Sequence, residues 1–258
     1  MESVNALGQD SLRRAVLAAG IDHEPVWLDE TASTNTDALG LAEEGAPEWT
    51  VVATGHQTSG RGRLGRTWID VPGSSLLVSV LLRPSLAPDR APLLSLLAAV
   101  AMIGASGLPG MRSKWPNDLV VGDRKLGGIL AEAAISGGEV RHLVIGTGLN
   151  LTRSGLPGDR ASSSLAEEGG EPDGEGILTG YLSELRAEYQ RPNFPVGLVE
   201  RYAAVCATIG RRVRATTDGG TEVEGLATGL DDRGSLLLET DSGTHPVAFG
   251  EVTHLRTT

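Results

Sequence analysis

Two lysines, Lys114 and Lys125, stand against twenty arginines in this chain, and both lie in one short stretch. Arginine replaces lysine freely on a solvated surface, but not where a compact ammonium must place a point charge or donate to a small acceptor. A second basic cluster, Gly60-Arg-Gly-Arg-Leu-Gly-Arg66, holds three arginines and no acid, although the formal net charge is -11. Two basic sites in an acidic chain favour an anionic ligand whose phosphate or carboxylate oxygens they bind.

The string Gly60-Arg-Gly-Arg-Leu-Gly65 also satisfies the glycine pattern of dinucleotide-binding loops. Such a loop needs a helix immediately after it, so that pyrophosphate meets the helix N-terminus. Here the sequence runs instead into an apolar strand predicted at residues 75–82. The pattern therefore indicates a flexible anion clamp, in which the glycines let the backbone approach the ligand and the arginines bind its oxygens.

Length and composition bound the function further. A chain of 258 residues can bury the core of one large domain with a small appendage. The single cysteine, Cys206, excludes an internal disulfide, and the N-terminal apolar patch is too short for a signal peptide, so we expect a cytoplasmic protein. The apolar run 93–105 predicts a buried helix rather than a membrane span. The acidic balance argues against general nucleic-acid binding.

Apolar runs separated by turn residues outline the elements that must position the two basic clusters. Helices are predicted at residues 11–20, 36–44, 89–106, 177–190 and 195–208, the third of them capped by Asp89. Strands are predicted at residues 27–32, 50–54, 75–82, 119–121, 126–134 and 140–150. The last three are expected to be antiparallel neighbours, because their connections are very short.

The remaining segments differ in composition. Residues 153–176 are rich in Gly, Ser, Pro and Glu, which predicts an exposed, mobile loop. Strand-like runs with Gly-containing turns between them predict a small antiparallel barrel at residues 211–216, 222–230, 235–240 and 245–249. No metal site is expected, because the five histidines are scattered without ligand spacing.

Taken together, the motifs resemble those of the biotin protein ligases. The matching strings are Ser33-Thr-Asn35, Gln57, Gly60-Arg-Gly-Arg-Leu-Gly-Arg66, Trp68, Lys114-Trp-Pro-Asn-Asp118, Lys125-Leu-Gly-Gly-Ile-Leu130 and Gly146-Thr-Gly-Leu-Asn150. The resemblance implies an α+β fold with a mixed sheet flanked by helices, akin to class II aminoacyl-tRNA synthetases. It also implies a catalytic domain at residues 1–208 and a small SH3-like β-barrel at residues 209–258.

The resemblance implies an ATP-dependent activity. Such enzymes activate biotin with ATP to biotinyl-5'-AMP and transfer it to a lysine of a biotin carboxyl carrier domain, as in acyl-CoA or pyruvate carboxylases. Mg²⁺ is expected to arrive with ATP, held largely by phosphate oxygens and water. We expect a monomer or weak homodimer that binds neither DNA nor membrane. The match suggests a short form of the family, since only about twenty-six residues precede the core, too few for a winged helix.

Site residues follow from the same resemblance. Catalysis is assigned to Lys114, Arg63 and Arg61, because two anions approach one another while pyrophosphate leaves. The residues implied around biotin are Ser33, Thr34, Asn35, Gln57, Arg61, Gly62, Arg63 and Lys114. Those implied on the nucleotide side are Arg63, Arg66, Trp68, Asn117, Lys125, Gly127, Gly128 and Asn150. Asp118 has two possible roles, polarising the carrier amine or holding Lys114.

Three alternatives stay open at this point. A lipoate or octanoate protein ligase shares the fold and a similar lysine, but lacks the Gly-Arg-Gly-Arg loop and the Lys-Trp-Pro-Asn-Asp string. A biotin-responsive DNA-binding repressor would need the winged helix. A noncatalytic adenylate-binding module would be expected to have lost Lys114 or the arginines, and both are present.

Overall fold

The computed structural model describes residues 7–152, 161–217, 220–248 and 250–255. Within these ranges the helices are α1 (Gln9–Ala18), α2 (Thr34–Glu43), α3 (Leu93–Ser106), α4 (Gly174–Tyr189) and α5 (Leu198–Val205). The strands are β1 (Val26–Leu28), β2 (Val51–Thr54), β3 (Gly60–Arg61), β4 (Thr67–Trp68), β5 (Ser75–Leu82), β6 (Met111–Lys114), β7 (Asp118–Val121), β8 (Arg124–Ser136), β9 (Glu139–Asn150), β10 (Arg212–Thr216), β11 (Glu222–Leu230), β12 (Leu236–Thr240), β13 (Gly243–Val247) and β14 (Glu251–His254).

A seven-stranded mixed sheet forms the centre of the larger part, in the order β1-β2-β5-β9-β8-β7-β6. Only β1 and β2 run parallel among these pairs, and the others are antiparallel. The predicted antiparallel arrangement of β7, β8 and β9 is therefore confirmed. Every residue of β5 is buried, which explains its continuous apolar sequence.

Helices cover both faces of this sheet. On one face α1, α3, α4 and α5 pack over the main core, which includes Leu76, Val78 and Val80 of β5. On the other face α2 packs on a smaller cluster that includes Leu81. The sheet is thus a buried middle layer. The ends of β6–β8 at one edge of it are available to line a site.

Helix α3 is apolar on most of its circumference, and nine of its residues are buried. The segment Pro88–Ser106 would be long and apolar enough to cross a membrane, but more than half of it is buried inside the protein, as in a core helix. The predicted start at Asp89 is wrong. A short 3-10 turn ends before Pro92, whose fixed φ suits a helix start, and Asp89 pairs with Arg233 at 3.3 Å instead.

A second, five-stranded antiparallel sheet follows in the order β13-β12-β11-β10-β14. The predicted antiparallel pairing is confirmed, but the run predicted at 245–249 is shifted to Gly243–Val247, and Phe249 lies outside the described residues. Strand β14 was not predicted, because Glu251–His254 carries little apolar pattern. It is held by backbone pairing with β10.

The predicted mobile loop at 153–176 needs correction. Its first part, 153–160, lies outside the described residues. From residue 161 the chain is fixed: Lys125 N donates to Ala161 O at 2.8 Å, and Ser163 N donates to Lys125 O at 2.8 Å. Ser164 and Leu165 are fully buried. Polar composition misled the prediction because backbone hydrogen bonds to β8 hold this segment in place.

Candidate active site

A cleft of about 260 Å³ opens between the arginine-glycine loop (residues 60–66), the ends of β6–β8 and strand β14. All predicted site residues line it except Gly127 and Asn150. Segments far apart in sequence therefore meet in one cavity, and both lysines and all three loop arginines face it. Such a concave site with several converging polar groups is typical of a small-molecule pocket.

The arginine-glycine loop is a small hairpin. Its strands β3 and β4 pair antiparallel, with Gly60 opposite Trp68, and a 3-10 turn at Arg63–Gly65 connects them. A side chain at Gly60 would place Cβ 2.7 Å from the Trp68 carbonyl oxygen, so the close approach needs glycine. No helix follows within the described part of the loop region, which excludes a dinucleotide-binding loop of the helix-starting kind.

Each loop arginine is bound to a different part of the protein. Arg61 pairs with Glu132 of β8 and donates to Thr36 Oγ1 at 3.2 Å. Arg63 Nη1 contacts Asn117 Oδ1 at 3.4 Å and the Gly250 carbonyl at 3.2 Å. The loop is thus tied to the central sheet on one side and to the C-terminal sheet on the other.

The third arginine strengthens the link to the C-terminal sheet. Arg66 Nη2 pairs with Glu251 Oε2 of β14 at 2.5 Å. Both side chains are partly exposed, so water screens this pair and its contribution to stability is small. Its effect is positional, because it fixes where the Arg66 guanidinium lies beside the cleft.

A buried polar network forms the wall at the start of α2. Thr34 N donates to Gln57 Oε1 at 2.9 Å, and Ser79 Oγ lies 2.8 Å from Thr34 Oγ1 and 2.6 Å from Asn35 Oδ1. The Asn35 amide nitrogen donates to Leu130 O at 3.1 Å and to Glu132 Oε2 at 2.8 Å. Both ends of the Asn35 amide are therefore bonded within the protein, so its shape holds the wall together.

Ser33 occupies the N-cap position of α2, as the sequence suggested, and is almost fully buried. Among the described groups, however, its side chain makes no capping hydrogen bond. A hydroxyl at an N-cap normally accepts from the first helical turn. Ser33 lines the cleft instead.

The two lysines differ in their partners. Lys125 Nζ pairs with Asp118 Oδ1 at 2.5 Å. The Lys114 ammonium, in contrast, has no hydrogen-bond or ion-pair partner among the residues that the structure describes. The Asp118 carboxylate therefore does not hold Lys114, although the two residues are backbone partners in β6 and β7. An unpaired ammonium in a cleft is available to an anionic ligand.

Glycines and a tryptophan shape the floor of the cleft. A Cβ on Gly148 would meet the Trp68 ring at 2.8 Å, and one on Gly146 would lie 2.0 Å from Asn35 Oδ1. Trp68 Nε1 is buried and finds no acceptor in the described part of the chain. Trp115 is different: it is fully buried and donates to the Gly234 carbonyl at 3.0 Å, as a core aromatic does.

Gly127 and Asn150 are not brought to the cleft. Neighbouring strand residues face opposite sides of a sheet, so Gly128 lines the cleft while Gly127 faces Leu119 and Leu149. The Asn150 amide nitrogen donates to the Ser163 carbonyl at 3.0 Å. It holds the segment after residue 161 against β9.

Sequence reasoning missed two acids of the site, Glu132 and Glu251. Glu132 is the one acid in the apolar run 126–134, and that isolation is the signal that could have identified it. Glu251 lies in the unpredicted strand β14 and carried no such signal. Both bind loop arginines, which lowers the positive charge that the cleft would otherwise present.

One histidine lies behind Lys114. Burial, followed by the charges of Lys114 and Arg211, lowers the pKa of His254 from 6.5 to about 4. The ring is therefore neutral near pH 7. Within the described ranges no group of three His, Cys, Asp or Glu side chains could hold a metal ion.

Comparison with known proteins places these features in one family. The biotin/lipoate A/B protein ligase family model matches residues 27–150, and the biotin protein ligase C-terminal domain model matches residues 208–255. A biotin--[acetyl-CoA-carboxylase] ligase of Mycobacterium tuberculosis is 36% identical, with 97% of this chain and 96% of that protein covered. The chain belongs to the biotin protein ligase family.

Other family members agree with this assignment. A biotin--[acetyl-CoA-carboxylase] ligase of Paracoccus denitrificans is 34% identical over 87% of this chain and 98% of that protein. The structure of the biotin protein ligase of Aquifex aeolicus in complex with biotin and ATP superposes with a TM-score of 0.73 and 25% identity, covering 90% of this chain and 99% of that one. The mixed sheet with its helices is thus the biotin protein ligase fold.

Proposed function

We propose that this chain is an ATP-dependent, AMP-forming biotin ligase. It converts biotin and ATP to biotinyl-5'-AMP and passes the biotinyl group to a lysine of a biotin carboxyl carrier domain. The observation that carries the proposal is that the Lys114 ammonium, which has no partner in the described part of the chain, shares one cleft with the three loop arginines. The chain that holds this cleft belongs to the biotin protein ligase family.

The first half-reaction needs the positive charge of that cleft. A biotin carboxylate oxygen attacks the α-phosphorus, a new P–O bond forms, and the bond to pyrophosphate breaks. Lys114, Arg61 and Arg63 would neutralise the two approaching anions and the departing pyrophosphate. Arg61 is paired with Glu132, so its charge is partly offset until a ligand anion competes for it.

In the second half-reaction the carrier amine attacks the acyl carbon, and AMP leaves as the acyl-phosphate bond breaks. The protein would keep the adenylate bound in a closed cleft until the carrier lysine reaches it. The arginine-glycine loop is the candidate cover, because it spans the cleft and its glycines allow it to move. A covered adenylate is protected from hydrolysis.

The two ends of the cleft have different proposed ligands. Biotin would lie against Ser33, Thr34, Asn35, Gln57 and Gly62, with its carboxylate toward Lys114. The Gln57 oxygen accepts from Thr34 N, which leaves its amide nitrogen to donate to the ring of biotin. The nucleotide would lie toward Arg66, Trp68, Asn117, Lys125 and Gly128, while Gly127 and Asn150 would act only from behind this wall.

Mg²⁺ is proposed to enter with ATP. The described residues hold no three-ligand acidic or histidine cluster, and the cleft acids Asp118 and Glu251 are paired with cations. This donor set fits an ion held chiefly by phosphate oxygens and water rather than by a dedicated protein cage. When bound, the ion would neutralise phosphate charge as pyrophosphate leaves.

Finer features of the architecture belong to the same proposal. We assign residues 1–208 to a catalytic domain akin to class II aminoacyl-tRNA synthetases and residues 209–258 to an SH3-like domain. We further propose a cytoplasmic monomer or weak homodimer that acts on carrier domains of acyl-CoA or pyruvate carboxylases and binds neither DNA nor membrane. The acidic net charge supports the absence of DNA binding.

A direct test is to incubate the protein with ATP, Mg²⁺, biotin and a carrier domain, and to weigh the carrier. We expect it to gain the mass of one biotinyl group. A carrier whose acceptor lysine is replaced by arginine should gain nothing. Transfer of lipoate or octanoate in preference to biotin at equal concentration would show that the acyl substrate is wrong.

A further inference from the structure

The chain on both sides of Lys114 is bound to the segment that leads into the C-terminal sheet. Before the lysine, Ala207 N donates to the Ser113 carbonyl at 2.7 Å. After it, Trp115 N donates to Thr208 Oγ1 at 3.1 Å. Thr208 is fully buried, so water cannot replace its hydroxyl as the acceptor. The Lys114 backbone therefore depends on where the Thr208 hydroxyl stands.

That hydroxyl is in turn bound by His254, at 3.1 Å from Nε2. The other ring nitrogen, Nδ1, lies 3.1 Å from Arg211 Nη1. A guanidinium only donates, so Nδ1 must accept, and the neutral ring carries its proton on Nε2. His254 thus donates to Thr208 Oγ1, which accepts from Trp115 N with its other lone pair.

We propose that His254 is a positioning residue for the ligase reaction, holding Lys114 in place through Thr208. The inference rests on the proposed function, since it concerns the residue assigned to neutralise the reacting anions. His254 does not touch the reactants. Its ring positions the Thr208 hydroxyl, and that hydroxyl positions the backbone beside Lys114 and so the Lys114 ammonium.

A second cavity also touches Lys114 and the residues that support it. Lys114 lines both the cleft and a larger cavity of about 710 Å³ on its other side, whose wall includes Thr253, His254, Arg211 and Asp123. A change in the position of the Lys114 backbone would therefore move its ammonium relative to the cleft.

Charge favours the same arrangement. The charged groups around the ring are Lys114 on β6, Arg211 before β10 and Asp123 in the turn after β7, which accepts from Arg211 at 3.1 Å. A protonated ring would point an Nδ1–H at the Arg211 guanidinium and add a third cation beside Lys114. The neutral ring avoids both repulsions and keeps its bond to Thr208.

The test is the single-turnover rate of biotinyl-AMP formation by the full chain, with saturating biotin and MgATP at neutral pH. His254→Phe keeps a ring but removes both nitrogens, so we expect a loss of about tenfold, the size of one buried hydrogen bond. His254→Gln should recover most of the rate, because its amide nitrogen can donate to Thr208. The control is His245→Phe, at the opposite edge of the same sheet, which should match the parent.

Thr208→Val provides an independent variant that removes only the hydroxyl. We expect a similar loss, and the double variant Thr208→Val with His254→Phe should be no slower than either single variant, because both break one chain of contacts. A folded His254→Phe protein at the parent rate, a His254→Gln protein as slow as the phenylalanine variant, or losses that multiply in the double variant would each overturn the inference.

Failure of the proposed function would look different. A parent protein that makes no biotinyl-AMP would contradict the ligase assignment. The hydrogen bond from Trp115 N to Thr208, which positions Lys114, could still be measured in that protein. Hydrogen exchange of the Trp115 amide reports it directly. Protection should fall in His254→Phe and Thr208→Val and persist in His254→Gln. Unchanged protection in all three would overturn the inference without reference to any substrate.

Discussion

In the proposed mechanism, Lys114 is the residue on which adenylate formation depends most. Arginine in its place would keep the charge, but a guanidinium is wider, planar and more diffusely charged than an ammonium. We expect Lys114→Arg to lose about 2 to 4 kcal/mol of transition-state stabilisation in adenylate formation, the size of one preorganised donor. Single-turnover formation of biotinyl-AMP measures this. A rate near that of the parent would show that charge alone suffices at this position.

Glu132 binds two of the residues that we propose for the biotin end of the cleft. One of its oxygens binds Arg61 and the other accepts from Asn35, so an amide at this position must turn a donor toward one of them. We expect Glu132→Gln to raise the KM for biotin several-fold and to leave the KM for ATP nearly unchanged. Glu139→Gln, at the start of β9, is the control. A biotin KM equal to the parent's would refute the role.

At the scale of elements, the close contact between β9 and α2 is the most sensitive. A methyl group at Gly146 would lie 2.0 Å from Asn35 Oδ1, where the partners are themselves fully bonded. Gly146→Ala should therefore cost about 1 to 3 kcal/mol of unfolding free energy and weaken biotin binding. Gly229→Ala is the matched control, because a Cβ there meets nothing within 4 Å. Equal stability of the two variants would contradict this packing.

Sequence pattern predicted the long elements well for a physical reason. Strand β5 is buried on both faces and its apolar run spans Ser75–Leu82, the range predicted from sequence. Strands β3, β4, β6 and β14 were missed because they are short or polar, so backbone pairing rather than an apolar pattern defines them. Local sequence does not encode such pairing.

The site residues also separate into those that sequence motifs predicted and those that depend on the tertiary structure. Residues on the quoted motifs reach the cleft because loops and strand ends converge there, as in Lys114, Arg63 and Gly128. The prediction that Gly127 lines the cleft was wrong because successive residues of a strand face opposite sides of the sheet, and Gly127 lies on the side away from the cleft. Glu251 was missed because it lies on the edge strand of the C-terminal sheet, which only the tertiary structure places beside Arg66.

At the scale of the whole molecule, the C-terminal sheet contributes residues to the candidate cleft. Its strand β14 binds Arg66 through Glu251, and His254 of the same strand reaches toward Lys114 through Thr208. In the proposed function, the central sheet supplies the binding wall, and the smaller sheet positions cationic groups of the cleft. Positioning by groups away from the reacting atoms is a common requirement of precise electrostatic catalysis.

This arrangement predicts a pH dependence of stability. Burial, with Lys114 and Arg211, lowers the pKa of His254 from 6.5 to about 4, so between these values the unfolded chain binds a proton that the folded protein does not. The free energy of unfolding should therefore fall as pH drops through this window and gain nothing from this group above it. Denaturant unfolding of the parent and His254→Gln at pH 7 and pH 5 measures the difference. Equal losses in both proteins would contradict it.

The most direct test of biotin activation needs no carrier protein. With ATP and Mg²⁺ present, the isolated protein should exchange labelled pyrophosphate into ATP only when biotin is added, since adenylate formation at the cleft is reversible. We expect octanoate and lipoate to support far less exchange at equal concentration, and Lys114→Arg to abolish most of it. Exchange without biotin, or faster exchange with octanoate or lipoate, would contradict the assignment of this cleft to biotin activation.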